Sequence, residues 1–116
     1  YWIAAYLVPG ESAGVAQRRI NPQWKPLLIY APAKYTGKTF SDVFVSGNND
    51  KDFHKWGQSE SGMSSIIDKV CLEGQYILDP FCGAGTTGVS ALRHGCLFDG
   101  LDNDIEKVNI SKGRLA

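Results

Sequence analysis

The stretch YILDPFCGAGTTG, residues 76–88, decides the fold. Gln75 to Leu78 reads as a short buried strand, with Asp79 at its end. A Pro-Phe-Cys-Gly-Ala-Gly loop follows. Thr86 then opens a helical pattern that runs to His94 and is closed by Gly95. Gly83 and Gly85 permit a tight turn and a close approach of backbone to a ligand. A second strand, Leu97 to Leu101, ends at Asp102, 19 residues after Gly83. At that spacing an acid after the second strand of a strand–helix–strand unit reaches a ribose. The glycines alone are weak evidence. Asp79 before the turn, Thr86-Thr87 after it and Asp102 at this distance make a nucleotide-binding constellation.

The loop is not a phosphate-binding loop, which requires GxxxxGK[ST]; no lysine follows Gly85. Asp79 at the strand end would repel a pyrophosphate and welcome a cationic sulfonium ligand with an amino group. The helix between the two strands acts as a crossover, so the strands are expected to be parallel and adjacent.

On the downstream side, Asp104 can cap a last helix from Ile105 to Leu115, with Ile105, Val108, Ser111 and Leu115 on its inner side. Lys107, Lys112 and Arg114 read as solvated, dipole-favouring charges. On the upstream side, Met63, Ile66, Ile67, Val70 and Cys71 fall on one face of a helix from about Ser59 to Leu72. Ser59 or Ser61 is its N-cap, and Gly74 ends it. Farther upstream, Leu27–Ala31 and Asp42–Ser46 are strand candidates. Pro26 and Pro32 fence the first of them, and an antiparallel pairing of the two is expected. Tyr1 to Val8 is apolar and ambiguous in type, ending at the Pro9-Gly10 turn.

Hydrophobic residues make up 43% of the 116, enough for a packed core and too many for a disordered tail. Twelve Lys and Arg balance twelve Asp and Glu, so there is no global basic field for a freestanding electrostatic binder of nucleic acid. The first half is locally basic, through Arg18, Arg19, Lys25, Lys34, Lys38, Lys51 and Lys55. It also holds Trp24, Tyr30, Tyr35 and Trp56. Such residues suit nucleic-acid backbone contact and base stacking, or simply a solvated surface. Cys71, Cys82 and Cys96 are too far apart for a metal site and read as reduced thiols, pointing to a cytoplasmic location. His94 sits at a helix C-terminus as a cap, and His54 lies in a polar loop. No apolar run approaches the roughly 18 residues needed to span a bilayer, so no membrane role is expected.

Residues 79–87, DPFCGAGTT, and 100–104, GLDND, resemble the cofactor-binding half of the amino-methylating DNA methyltransferases, which act on adenine N6 or cytosine N4. The resemblance implies a Rossmann-like, S-adenosylmethionine-dependent methyltransferase fold, an α/β three-layer α/β/α sandwich, here incomplete. It implies that Asp79, Pro80, Phe81, Cys82, Gly83, Gly85, Thr86 and Thr87 cradle the methionine part of S-adenosylmethionine. Asp102 would hold the ribose and Asn103 would lie beside the adenine. The segment 54–60, HKWGQSE, resembles the family's polar cofactor-contacting segment, which places Gln58 and Ser59 near the methionine carboxylate. Residues 24–30, WKPLLIY, are similar to a strand in the tail of the catalytic half.

The sequence departs from the family in one respect. The catalytic tetrapeptide [DNS]-P-P-[YFW] is absent; Asp79-Pro80 is followed by Phe81. In the family it clamps the target amine, and its aromatic stacks on the flipped base. The chain is therefore expected to be the C-terminal portion of a longer enzyme, with residues 1–53 the tail of the catalytic half and 54–116 the cofactor half. No catalytic residue is assigned within it. Double-stranded DNA is the expected partner of the intact enzyme. A missing half or a dimer partner is expected to cover the open sheet edge. Two other readings stay open: an RNA or small-molecule methyltransferase of the same fold, and a non-catalytic α/β binding module.

Overall fold

A computed structural model of the chain describes residues 1–9, 22–47 and 58–116. Eight elements follow in order: β1 (Trp2–Leu7), β2 (Trp24–Ile29), β3 (Val43–Val45), α1 (Glu60–Val70), β4 (Tyr76–Asp79), α2 (Thr86–Arg93), β5 (Leu97–Gly100) and α3 (Ile105–Leu115). β4 and β5 are adjacent and parallel, with Tyr76 opposite Leu97 and Asp79 opposite Gly100. That is the arrangement the crossover helix requires.

The first half corrects the sequence reading. The ambiguous opening segment is strand β1, and it lies between the other two in the order β2-β1-β3. β2 and β3 therefore do not pair with each other. β2 runs antiparallel to β1, and β3 runs parallel to it. Pro26 does not fence β2 but lies inside it, opposite Ala5. Ala5 turns its N–H away, donating to the Asp42 carbonyl at 2.8 Å. The Ala5–Pro26 pair exchanges no ladder bond, so the proline's missing N–H costs nothing on this edge strand.

β3 has its far edge closed by α1. Lys69 Nζ donates to the Val43 carbonyl at 2.7 Å, Ser65 Oγ accepts from Val45 N–H at 3.4 Å, and Ser61 Oγ accepts from Gly47 N–H at 3.0 Å. Side chains of a helix thus do the work that another strand would do. Ser59 is the N-cap of α1, accepting from Gly62 N–H at 3.0 Å.

Two apolar clusters fill the space between strands and helices. Ala4, Tyr6 and Phe44 meet Ile66 and Val70 of α1. Ile67, Ala91 and Cys96 meet Met63, Ile77 and Phe98. All of these lie on one face of the sheets. On the other face Ile3, Leu7, Trp24, Leu28, Val43 and Val45 stay exposed, as do Tyr76, Leu78 and Leu97. Among the described residues, then, two of the three expected layers are present. The α3 stripe also differs from expectation: Val108, Ser111 and Leu115 turn inward, but Ile105 is exposed. No described helix is long and apolar enough to cross a membrane.

Candidate functional site

A cleft of about 450 Å³ opens where β4 and β5 end. Its walls include Gln58, Met63, Asp79, Phe81, Cys82, Gly83, Ala84, Thr86, Thr87, Asp102 and Lys107. Asp79, the last residue of β4, and Asp102, two residues past β5, both line it, because parallel pairing brings both strand ends to the same rim.

Asp79 shapes the loop. One of its oxygens accepts from Phe81 N–H at 3.0 Å, and the other from the Thr87 hydroxyl at 2.6 Å. The carboxylate thereby ties the end of β4 to the first turn of α2. The loop is also pinned to the neighbouring strand: Leu101 N–H donates to the Asp79 carbonyl and Cys82 N–H to the Leu101 carbonyl.

Asp102 accepts from Gly83 N–H at 2.8 Å on one oxygen and from Asp104 N–H at 2.9 Å on the other. The Asp104 and Gly83 donors hold its carboxyl below the ordinary carboxylate range; desolvation opposes this, and Lys107 adds to it. Asp104 in turn caps α3 through Glu106 and Lys107 N–H. One short acidic run thus fixes both the loop and the following helix.

Gly83 and Gly85 both have positive φ, +51° and +82°. Their surroundings differ. A Cβ on Gly83 would meet nothing within 4 Å, whereas one on Gly85 would collide with Ser111. Gly83 therefore borders open space, and Gly85 is a close contact between the loop and α3. Gly85 is also the N-cap of α2 and has no side chain to offer the first turn. The Cys82 thiol is raised by burial and then by the nearby Asp79 and Asp102 charges. It is protonated at neutral pH, which is not the state of a nucleophile.

The structure brings Gln58, Asp79, Phe81, Cys82, Gly83, Thr86, Thr87 and Asp102 into the cleft wall. Phe81 is almost fully exposed there. Pro80 and Asn103 are exposed outside that wall, and Gly85 is buried beneath it. Ser59 is buried elsewhere, its hydroxyl bonded to Ser46 Oγ at 2.5 Å and to Gly62 N–H. His54, Asn48, Asn49, Asp50, Arg18, Arg19, Lys51, Lys55 and Trp56 lie outside the described residues.

Three wall residues escaped the sequence reading: Met63, Ala84 and Lys107. Lys107 is not a merely solvated charge; it faces the cleft with its Nζ 3.6 Å from Asp104. Arg114 is not solvated either, its side chain being only 9% exposed. A signal for both exists in the sequence, since residues 107, 111 and 114 share one face of a helix.

A glycine loop between two parallel strands, one ending in Asp79 and the other followed two residues on by Asp102, is the arrangement of a Rossmann-like α/β unit. The sequence matches the DNA methylase family N6_N4_Mtase over residues 11–113. The chain belongs to that family. It is 41% identical over 85 residues to the Type II methyltransferase M2.DpnII of Streptococcus pneumoniae, a match covering 68% of this chain and 31% of that protein. The chain thus spans about a third of this curated relative. Among solved structures it resembles the cytosine-N4-specific PvuII DNA methyltransferase, with a TM-score of 0.80 at 13% identity, covering 98% of this chain and 50% of that one. It also resembles M1.HpyAVI in complex with S-adenosylmethionine, with a TM-score of 0.73 at 20% identity, covering 99% and 61%. The fold is that of S-adenosylmethionine-dependent DNA methyltransferases, present here in part.

Proposed function

We propose that the chain is the cofactor-binding portion of a DNA amino-methyltransferase, which transfers a methyl group from S-adenosylmethionine to adenine N6 or cytosine N4. One observation carries the reading: Asp102 holds the Gly83 N–H inside a cleft at the ends of two parallel strands, in a chain of the DNA methylase family.

The residues present fit the cofactor. An ionised carboxylate has about four lone-pair positions. Gly83 and Asp104 use one on each Asp102 oxygen and the Asn103 backbone also bears on the carboxylate, so capacity for a ribose hydroxyl remains. The empty space beside Gly83 leaves room for ligand where a side chain would intrude. Among the described wall residues, Asp79 and Asp102 set two carboxylates against the ammonium of Lys107, which favours a cationic ligand over a phosphate. Gln58, Asp79, Phe81, Cys82, Gly83, Thr86, Thr87 and Asp102 would hold the cofactor, with Asn103 outside the wall near Asp102. Bound there, S-adenosylmethionine supplies an electrophilic methyl group on a sulfonium. Asp79, fastened by Phe81 and Thr87, keeps its negative charge in a fixed place. The Cys82 thiol is pushed up by burial and the neighbouring carboxylates, which disfavours its thiolate. The acceptor amine is then its own nucleophile.

The acceptor clamp is a different matter. The tetrapeptide that grips the target amine in this family is absent from the 116 residues. We infer that it, and most of the contact with double-stranded DNA, belongs to a longer protein. The same longer protein, or a second copy, would cover the open sheet edge, and with it the apolar face left without cover among the described residues. The test is methyl transfer from radiolabelled S-adenosylmethionine, comparing the 116-residue chain with the full-length protein. Transfer to duplex DNA is expected from the full-length protein only. Activity from the chain alone would overturn this division and turn attention to Asp42, Asn48, Asn49, Asp50 and His54. Transfer to RNA in place of DNA would overturn the substrate.

A further inference from the structure

Three consecutive residues of the cleft loop are fastened to one short stretch of chain. Gly83 donates to Asp102 at 2.8 Å. Gly85 rests against Ser111, whose Cα stands 3.2 Å from where a Cβ would be. Between them, the Ala84 carbonyl accepts from Arg114 Nη1 at 2.6 Å. Arg114 stands in the last turn of α3. Its Nη1 also reaches Thr86 Oγ1 at 3.4 Å, and its Nη2 donates to Glu60 Oε1 at 2.6 Å. One guanidinium therefore joins the loop, the first residue of α2 and the first residue of α1.

We infer that Arg114 is a positioning residue for the cleft, setting the orientation of the Ala84–Gly85 peptide and through it the alignment of Gly83 with Asp102. This rests on reading the cleft as the S-adenosylmethionine site. The peptide is held at both ends: its carbonyl by Arg114, and its N–H by the Cys82 carbonyl at 2.8 Å. It is flanked by two glycines of positive φ, residues with little conformational preference of their own. The local turn holds the N–H side through Cys82, and the little-exposed cation of Arg114 holds the carbonyl side. A rotated peptide would lose its bonds to both Arg114 and the Cys82 carbonyl. The planar fork of arginine addresses carbonyl, hydroxyl and carboxylate together, which a lysine ammonium does not match. Glu60 supplies the opposite charge that a cation this buried requires.

The experiment is calorimetric titration of S-adenosylmethionine into the full-length protein and its variants Arg114→Met, Arg114→Lys and Arg93→Met. Arg93 shares Glu60 at 2.6 Å but is 62% exposed, and so serves as the control that loosens Glu60 from the solvent side. Both Arg114 variants are expected to bind about tenfold more weakly or worse, the effect of losing a charged hydrogen bond. Arg93→Met is expected to bind within about twofold of wild type, as a surface pair implies. Steady-state kinetics should show the loss in KM for S-adenosylmethionine rather than in KM for DNA. Folded Arg114 variants that bind as wild type would overturn the inference. Loss of folding in both would overturn it as well, since Arg114 would then support the whole domain and not the loop. A wild-type protein that binds no S-adenosylmethionine would instead sink the reading of the cleft itself.

Discussion

In the cleft loop, Gly83, Ala84 and Gly85 are held in turn by Asp102, Arg114 and Ser111, all within one helix and the turn before it. In the three-stranded sheet, Ile3, Leu7, Trp24, Leu28, Val43 and Val45 line up on a face with no cover among the described residues. The loop is completed by its own neighbourhood. Among the described residues, the sheet is completed on one face, by α1. Specific polar geometry can thus be finished locally, while a hydrophobic layer needs mass from elsewhere.

The largest test of this contrast is Phe44→Ala. Phe44 is 1% exposed at the centre of the first cluster, and its truncation is expected to cost about 3–5 kcal/mol in denaturant unfolding of the full-length protein. Affinity for S-adenosylmethionine in the variant that remains folded should change little. A large loss of binding would show that sheet and cleft are coupled and would break the contrast. Next comes Gly85→Ala. The left-handed conformation costs a side chain about 1–2 kcal/mol, and here the added carbon also meets Ser111. Gly83→Ala carries the conformational cost without the collision, so it should destabilise less. Equal unfolding midpoints would mean that the loop yields more easily than its contacts suggest.

Asp102→Ala should leave the fold in place and weaken S-adenosylmethionine by about tenfold or more. Unchanged affinity would reduce Asp102 to a loop fastener. The pH dependence sharpens the point. Because the folded carboxyl is held below its ordinary value, its contribution is complete above the ordinary carboxylate pKa and fades as pH falls through the depressed one. Affinity should therefore be flat from about pH 6 upward and decline only below about pH 4. The smallest expected effect is that of Cys82→Ser, which should leave methyl transfer by the full-length protein within about twofold. Abolished transfer would restore the thiol as a chemical participant.

The second half was legible in the sequence because its signals are local. Apolar periodicity, Ser59, Asp104 and the glycines marked α1, α2 and α3 to within a residue or two, and the crossover rule set β4 beside β5. The first half was not, because strand order is a long-range property. Nothing in LLIYA or DVFVS states that the opening WIAAYL inserts between them. Pro26 misled for the same reason, being tolerable only once the edge and register are known. At the site, Asp79 and Asp102 were readable from spacing. For Lys107 and Arg114 the sequence offers only a shared helix face with Ser111, which does not tell a cation engaged with a loop from a solvated one until that loop is in place.

The face of the β2-β1-β3 sheet that no described residue covers also carries a thermal consequence. Whatever covers Ile3, Leu7, Trp24, Leu28, Val43 and Val45 is held there mainly by removal of apolar surface from water. That force weakens on cooling, whereas the ionic and hydrogen-bonded fastening around Asp102 and Arg114 does not share its origin. Cold should therefore loosen the junction between the sheet and whatever covers it before it disturbs the loop.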